Sequence, residues 1–235
     1  ISGKEFNLDD PDIIRASLTP SHYSYLKIAE GCDNACSFCS IPLMRGLQKS
    51  QPLRWNVEEA KRLASRGVKE LLVIAQDSTS YGWDASPKTT LHELFSELDK
   101  IDGIEWLRLH YAHPSNLHRN MIDHFKKLEK LIPYIDMPIQ HGSDKVLKIM
   151  RRGLKSDGIK KKIEALRNAN SNIAIRTSII VGHPGETDKE FNEMLDFISD
   201  VEFDRLGVFQ YSHEENTLAA DIMKDEVPKD VKQQR

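Results

Sequence analysis

The stretch Gly31-Cys32-Asp33-Asn34-Ala35-Cys36-Ser37-Phe38-Cys39 holds every cysteine of the chain, in a C-x3-C-x2-C spacing. It follows directly on the apolar run Tyr25-Leu26-Lys27-Ile28-Ala29. Three thiolates within eight residues can converge on one centre only if the backbone loops tightly around it. Soft thiolate ligands select zinc, copper(I) or iron–sulfur clusters. A structural zinc, or a cluster held wholly by protein, asks for four ligands. Three cysteines on one short loop, with none elsewhere, point instead to a four-iron cluster whose fourth iron stays open to a substrate or cofactor. Such a site is catalytic rather than structural. Two blander readings remain open. One is a disulfide with a free thiol left over, poor arithmetic for an odd count packed this closely. The other is a Cys3His zinc site closed by one of the nine histidines, which would make the chain a zinc-stapled binding module.

Outward from the loop, short β-rich runs alternate with amphipathic helical patterns, the mark of a parallel α/β sheet. Six strands are expected, over about 24–29, 70–75, 105–111, 134–137, 173–181 and 205–211. The runs at 71–74 and 173–181 are apolar enough to be read as buried on both faces. Between them, Val57, Ala60, Leu63 and Ala64 make one helical stripe, stopped by Gly67 at C′. Leu91, Leu94, Phe95 and Leu98 make a second, with Thr90 as N-cap and Glu93 three residues on. Ile122, Phe125 and Leu128 make a third. Val146-Leu147 and Ile163-Leu166 make a fourth with a break at Gly153. Phe191, Leu195, Phe197 and Ile198 make a fifth, entered from Thr187 with Glu190 as its partner. Six βα units fall short of a complete eight-unit barrel, so the expected fold is α/β: a partial, TIM-like (β/α)6 barrel, an open parallel sheet with outer helices. Chemistry then belongs at the carboxyl ends of the strands.

The composition is that of an ordinary globular chain: 235 residues, 39% hydrophobic and 29% charged. No apolar run approaches the ~20 residues that cross a bilayer, so no membrane partner is expected. Asp9, Asp10 and Asp12 crowd the start, unlike a secretory signal. A lone cysteine cluster fits a reducing, cytoplasmic compartment. With 33 Lys+Arg against 36 Asp+Glu the net charge is −3, not the positive excess of a dedicated nucleic-acid binder. The runs Lys126-Lys127, Arg151-Arg152 and Lys160-Lys161-Lys162 read as solvated helix faces.

The Cys32/Cys36/Cys39 triplet, with Phe38 before the last cysteine, resembles the cluster loop of radical S-adenosylmethionine (SAM) enzymes. The wider run Lys27-Ile28-Ala29-Glu30-Gly31-Cys32 through Ile41-Pro42-Leu43-Met44-Arg45-Gly46 narrows the resemblance to the methylthiotransferases, over about Pro20 to Arg235. Within them, Gln76-Asp77-Ser78-Thr79 and Leu43-Met44-Arg45-Gly46 resemble the branch that modifies a ribosomal protein. The tRNA-modifying branch, the close alternative, usually has Gln-Asn for Gln76-Asp77 and Tyr-Thr for Leu43-Met44.

The resemblance implies a [4Fe-4S] cluster on Cys32, Cys36 and Cys39, with SAM chelated to the open iron and cleaved by one electron to a 5′-deoxyadenosyl radical. The substrate it implies is the β-carbon of an aspartate in the twelfth protein of the small ribosomal subunit, which receives a methylthio group. An electron donor such as a flavodoxin or ferredoxin is implied, and no nucleic-acid partner for this core. The family also carries an N-terminal domain with a second [4Fe-4S] cluster and a small C-terminal β-barrel. Accordingly, residues 1–20 are expected to be a linker remnant, 21–225 the radical SAM core, and 226–235 the start of a connector. On its own such a core should cleave SAM without methylthiolating a substrate.

Loop by loop, Gln76, Asp77 and Ser78 after the second strand are either an Asx or Ser/Thr turn or a polar cradle for SAM. His110 and His113, three apart at a strand end, point to different sides and read as structural. Gln140 and His141, in a segment similar to the family's Pro-x-Gln-His, are expected in the barrel mouth, with Ser143 as the next N-cap. Gly182, Pro184 and Gly185 are implied to pack on the SAM adenine, with Arg176 and Thr177 near its ribose or carboxylate and Phe38 also at the cofactor. His141 and Tyr211 are expected to face substrate. The sequence departs from the family pattern at Gln51, where Arg is usual, at His183, where Phe is usual, and at Gly142, where a larger residue is common.

Overall fold

The computed structural model describes residues 19–235; the expected linker lies, through residue 18, outside them. All six expected strands form. They are β1 (Tyr23–Lys27), then, after a short ribbon, β4 (Glu70–Ile74), β5 (Trp106–Leu109), β6 (Leu131–Asp136), β7 (Ala174–Val181) and β8 (Arg205–Gln210). They make one sheet in the order β1-β4-β5-β6-β7-β8, every neighbour parallel. Order in space follows order in the chain, and β1 and β8 end the sheet, so the barrel is open.

The ribbon was not foreseen. Strand β2 (Ala29–Glu30) pairs antiparallel with β3 (Lys49–Ser50) and clamps the base of the cysteine loop, with helix α1 (Ile41–Arg45) inside the enclosed segment. The remaining helices are α2 (Leu53–Ser65), α3 (Leu91–Leu98), α4 (Arg119–Lys127), α5 (Asp144–Ile149), α6 (Ser156–Ala169), α7 (Asp188–Val201), α8 (Leu218–Ile222) and α9 (Lys229–Gln234). Along the outside, α2 packs on α3, α3 on α4, α4 on α6 and α6 on α7.

Local signals place these elements. Helix α2 ends in a Schellman motif: Gly67, at φ +91°, and Val68 donate their N–H groups to Ala64 and Leu63. Thr90 caps α3, accepting the Glu93 N–H at 3.4 Å. At α7 Thr187 and Glu190 form the expected capping box, with the Thr187 N–H donating to the Glu190 carboxylate at 2.9 Å. The break at Gly153 separates α5 from α6. Ser143 sits at the N-cap of α5, but its hydroxyl donates to Glu193 instead.

The core lies between the sheet and the helices. Leu71, Val73, Leu107, Leu109, Ile135 and Ile175 are fully buried from the strands, and Leu94, Phe95, Ile122 and Leu166 from the helices. Each such side chain contributes roughly 1.5–3 kcal/mol of transfer free energy. The strands are not buried on both faces. In β7, Ile175, Thr177, Ile179 and Val181 are buried while Arg176, Ser178 and Ile180 alternate with them, partly open. An open barrel leaves its concave face to a cavity, so the apolar runs at 71–74 and 173–181 hide one face only. At the free edge, Val208 and Phe209 of β8 are 50% and 56% exposed.

Candidate active site

The cysteine loop is held by groups on both sides of it. Gly31 adopts φ +80°, and a Cβ there would run into the Leu47 carbonyl, so only glycine closes this turn. The Cys32 N–H donates to Gly46 at 3.2 Å, and the Gln48 N–H to the Asp33 carboxylate at 3.0 Å. From the far side, the Asn34 amide donates to the Asp77 carboxylate at 2.7 Å.

So folded, Cys32, Cys36 and Cys39 line one cavity of about 470 Å³ at the carboxyl ends of the strands. Gln76, Gln140, Ser178 and Tyr211 bring polar groups to it, and Phe38, Ile180 and Phe209 give it apolar walls. Two lining residues, Tyr111 and Gln140, carry positive φ (55° and 73°), strained backbone of a kind concentrated at functional sites. The Gln140 N–H and C=O continue the β6–β7 pairing, to Ser178 at 2.9 Å and from Ile180 at 2.8 Å. That pairing fixes where the Gln140 side chain leaves the backbone.

Burial pushes the Cys32 and Cys39 thiols up from their ordinary range. A thiolate forms there only beside positive charge, which bound iron supplies. His113, walled in and facing Arg152, is pushed down to about 4 and is neutral at pH 7. Its Nδ1 lies 2.7 Å from the Ser115 hydroxyl, and its Nε2 has no partner among the described residues. The Gln76 amide donates to Glu30 at 3.0 Å, and its buried oxygen has no partner among the described residues. Among the described residues no three His, Cys, Asp or Glu side chains gather closely enough to share one ion. A four-iron cluster places its three thiolates on separate irons, wider apart than the roughly 2.3 Å bonds of one zinc allow. Three thiols around a cavity with unpaired polar atoms therefore fit the cluster and a polar ligand.

The other expected site residues lie elsewhere. Asp77 and Ser78 are buried below the cavity. Asp77 accepts from Asn34, Asn116 (2.8 Å), Ser80 (2.7 Å), the Thr79 N–H (2.9 Å) and the Thr79 hydroxyl. Burial raises its carboxyl, but those hydrogen bonds prevail and leave it below the usual range. Asp77 thus closes an Asx turn, while Gln76 stays at the cavity. Arg176 alternates in phase with Ser178 and Ile180 but does not line the cavity, and pairs with Asp136 at 2.6 Å. Thr177 points the other way and donates to Met137 at 2.9 Å. His141 is fully buried; its Nδ1 accepts the Ser143 N–H at 2.9 Å, so its Nε2–H faces the Glu186 carboxylate at 3.0 Å. It braces the rim and does not line the cavity. Gly182, Pro184 and Gly185 do not line the cavity. The Lys232 side chain of α9 covers Gly182, and Gly185 packs near Ile149 and Met223. His183 fills its aromatic slot as a ring, 4.9 Å from Tyr211 and 6.3 Å from Phe38, edge to face.

Comparison with known proteins agrees with this geometry. The family model described as "Radical SAM superfamily" matches residues 26–198. The chain belongs to the radical SAM superfamily. Its members use a [4Fe-4S] cluster and SAM, and membership sets aside both the zinc-stapled module and the disulfide. Among curated proteins, the chain is 50% identical over 221 residues to a ribosomal protein uS12 methylthiotransferase, RimO, of Flavobacterium johnsoniae, covering 94% of this chain and 50% of that one. It is 46% identical over 238 residues to the RimO of Anaeromyxobacter sp. Fw109-5, covering 99% and 50%. The chain thus spans about half the length of the curated relatives it matches. Among solved structures, the coproporphyrinogen III oxidase HemN of Escherichia coli aligns with a TM-score of 0.64 at 20% identity, over 90% of this chain and 51% of that one. The methyltransferase TsrM of Kitasatospora setae, with cobalamin and a [4Fe-4S] cluster bound, aligns at 0.65 and 16%, over 80% and 36%. At such identities these two speak for the fold.

Sequence reading missed Asn34, His113 and Arg152 as members of the site. Ser178 and Ile180 were legible in principle, from their alternation with the buried residues of β7.

Proposed function

We propose that this chain is the radical SAM core of a methylthiotransferase that adds a methylthio group to the β-carbon of an aspartate in ribosomal protein uS12. The observation that carries the reading is identity of 45–50% to uS12 methylthiotransferases over at least 94% of the chain, with all three cysteines around one cavity. A tRNA-modifying role is the weaker reading, since Gln76-Asp77 and the net charge of −3 both speak against it.

When bound, the cluster and SAM supply a one-electron cleavage that gives a radical able to take hydrogen from an unactivated carbon. The chain's own part is holding and shielding. Cys32, Cys36 and Cys39 would ligate three irons. Gln76, Gln140 and Ser178 offer hydrogen bonds to a polar ligand beside them, and Tyr211 stands at the substrate side. Phe38, Ile180 and Phe209 keep water and stray hydrogen donors from the reacting carbon. Residues 21–225 form this core in the proposal; residues 226–235, read as a connector, include α9, which lies on the β7 loop. The whole protein's sulfur transfer, its second cluster, its contact with the ribosomal protein and a flavodoxin- or ferredoxin-type donor belong to the same proposal, as does a cytoplasmic setting. Among the described residues no helix is long and apolar enough to cross a membrane.

Anaerobic reconstitution with iron and sulfide, reduction, and addition of SAM test the reading. The wild-type chain should form 5′-deoxyadenosine and Cys36→Ala should not. The full-length protein should methylthiolate uS12 and leave tRNA unmodified. A wild-type chain that loads iron yet never cleaves SAM would sink the proposal.

A further inference from the structure

Arg152 falls in a basic pair that reads as solvated, yet its side chain is turned into the barrel and is only 6% exposed. It follows α5, where Arg151 takes φ +58° and stays exposed while Arg152 points inward. Its Nη1 donates to Cys36 Sγ at 3.1 Å and its Nη2 to the Pro138 carbonyl at 2.6 Å. Its Nε is buried and has no partner among the described residues. Among the described residues it pairs with no carboxylate. The nearby titratable group, His113, is neutral, and protonating it would only add positive charge.

A guanidinium stays protonated at any ordinary pH. Buried without a counter-charge it costs several kcal/mol, and native proteins pair such groups. Among the described residues the one potential anion that its guanidinium touches is the Cys36 sulfur. Three thiolates around a four-iron core carry net negative charge, and reduction adds one unit more. Hydrogen bonds to the sulfurs and nearby charge are among the determinants of a cluster's reduction potential.

We propose that Arg152 is the cluster's counter-charge: its guanidinium, on Cys36 Sγ, holds the reduced cluster and raises the reduction potential. It acts through Cys36, so it is a positioning and tuning residue. This rests on the cluster reading above. A plain structural strap between Cys36 and Pro138 would use the same two hydrogen bonds, and the two roles make opposite statements about the metal-free chain. A strap stabilises it. An uncompensated buried cation does not, so replacing Arg152 with an apolar side chain of similar length leaves the metal-free chain at least as stable.

The experiment uses the full-length protein, wild type, Arg152→Met and Arg152→Lys. Denaturant unfolding is measured without metal, and a redox titration followed by electron paramagnetic resonance with cluster loaded. The Cys32/Cys36/Cys39 triple alanine variant supplies the spectrum to subtract. Expected for Arg152→Met is unfolding at no lower denaturant than wild type, with a midpoint potential lower by at least the equivalent of a tenfold drop in the reduced-to-oxidised ratio, about 59 mV for one electron. Arg152→Lys should keep most of the potential, because it keeps the charge. Iron uptake lost in Arg152→Met and kept in Arg152→Lys is the same dependence in its strongest form. Equal potentials in wild type and Arg152→Met overturn the inference, as does a destabilised metal-free Arg152→Met beside an unmoved potential. If wild type itself assembles no cluster on the three cysteines, the functional proposal fails first and takes this one with it.

Discussion

Two buried carboxylates, Asp77 and Glu186, brace opposite rims of the barrel mouth, and they do so with different partners. Asp77 ties the β4 loop to the cysteine loop and to the β5 loop through neutral donors: Asn34, Asn116, Ser80 and Thr79. Glu186 ties the β7 loop to the β6 loop and to the C-terminal helix. Its oxygens accept from the His141 ring, from the Gly182 N–H at 3.0 Å and from the Arg235 guanidinium. Burial pushes Glu186 up, but the His141 and Gly182 hydrogen bonds and the Arg235 charge outweigh it, and its carboxyl stays below the usual range. On the cysteine rim, then, an anion is held by dipoles alone, with each donor fixed in direction. On the far rim part of the hold is a charge pair delivered from α9. The rim that must present three sulfurs in register is the one built from directional bonds.

The largest effect should come from Gly31→Ala. At φ +80° with the Leu47 carbonyl in the way, the turn cannot close without moving backbone, at a cost of several kcal/mol. Iron bound per chain after reconstitution should fall to a small fraction of wild type while circular dichroism still reports the α/β fold. Next comes Asp77→Asn. An amide has one acceptor oxygen where the carboxylate has two, so at least one backbone or amide donor is orphaned. The loss should be about 3 kcal/mol, from hydrogen bonds to a charged group at roughly 1.5–3 kcal/mol each. Iron retention should drop with stability, because Asn34 sits inside the cysteine loop. Glu186→Gln should cost slightly less, about 2 kcal/mol: the oxygen facing Gly182 is kept, the His141 bond is lost, and Arg235, its charge pair with Glu186 gone, still has Asp188 at 2.6 Å. Its iron retention should match wild type. Equal loss of iron in the two variants would erase the distinction between the rims.

Much of the fold could be read from local signals. The six strands, the Gly67 stop, the Thr90 cap and the Thr187–Glu190 pair each depend on residues within one turn or one strand. The cysteine triplet was legible for the same reason. What escaped depends on partners far apart in the chain. Asp77 looked like a ligand cradle because its donors Asn34 and Asn116 lie 43 and 39 positions away. His141 and the Gly182–Gly185 segment looked open because nothing nearby announces Glu186, Lys232 or Arg235 as their cover. Arg152 looked solvated because Arg151 beside it is, and Cys36 is 116 residues back. The two-residue strands β2 and β3 are too short to carry a periodicity. Strand β7 looked buried on both sides since Ile180 is as apolar as Ile179, although it faces the cavity.

The smallest expected effect concerns Glu190, behind the far rim, and it separates the rims by pH. Its carboxylate accepts from the Thr187 N–H and hydroxyl and from Lys145 at 3.0 Å. Those hydrogen bonds, the Thr187 hydroxyl first, hold its carboxyl down to about 2. The folded state therefore binds this proton less readily than the unfolded chain, whose glutamate keeps its ordinary value near 4.5. The contribution is fully present above that ordinary value and is lost as pH falls from about 5 toward 2. The shift sets a ceiling of roughly 3 kcal/mol, and with the Lys145 ammonium half in solvent, screening trims it to about 1–2 kcal/mol. Denaturant unfolding at pH 6.5 and pH 3.5 measures it. The stability lost by wild type between those two values should be smaller in Glu190→Gln by about 1 kcal/mol, since that variant has no proton to take up. The same difference measured in Asp77→Asn should leave the Glu190 share untouched, because the two carboxylates belong to separate networks and distant sites add. If the Glu190 and Asp77 substitutions failed to add, the two rims would be one cooperative unit.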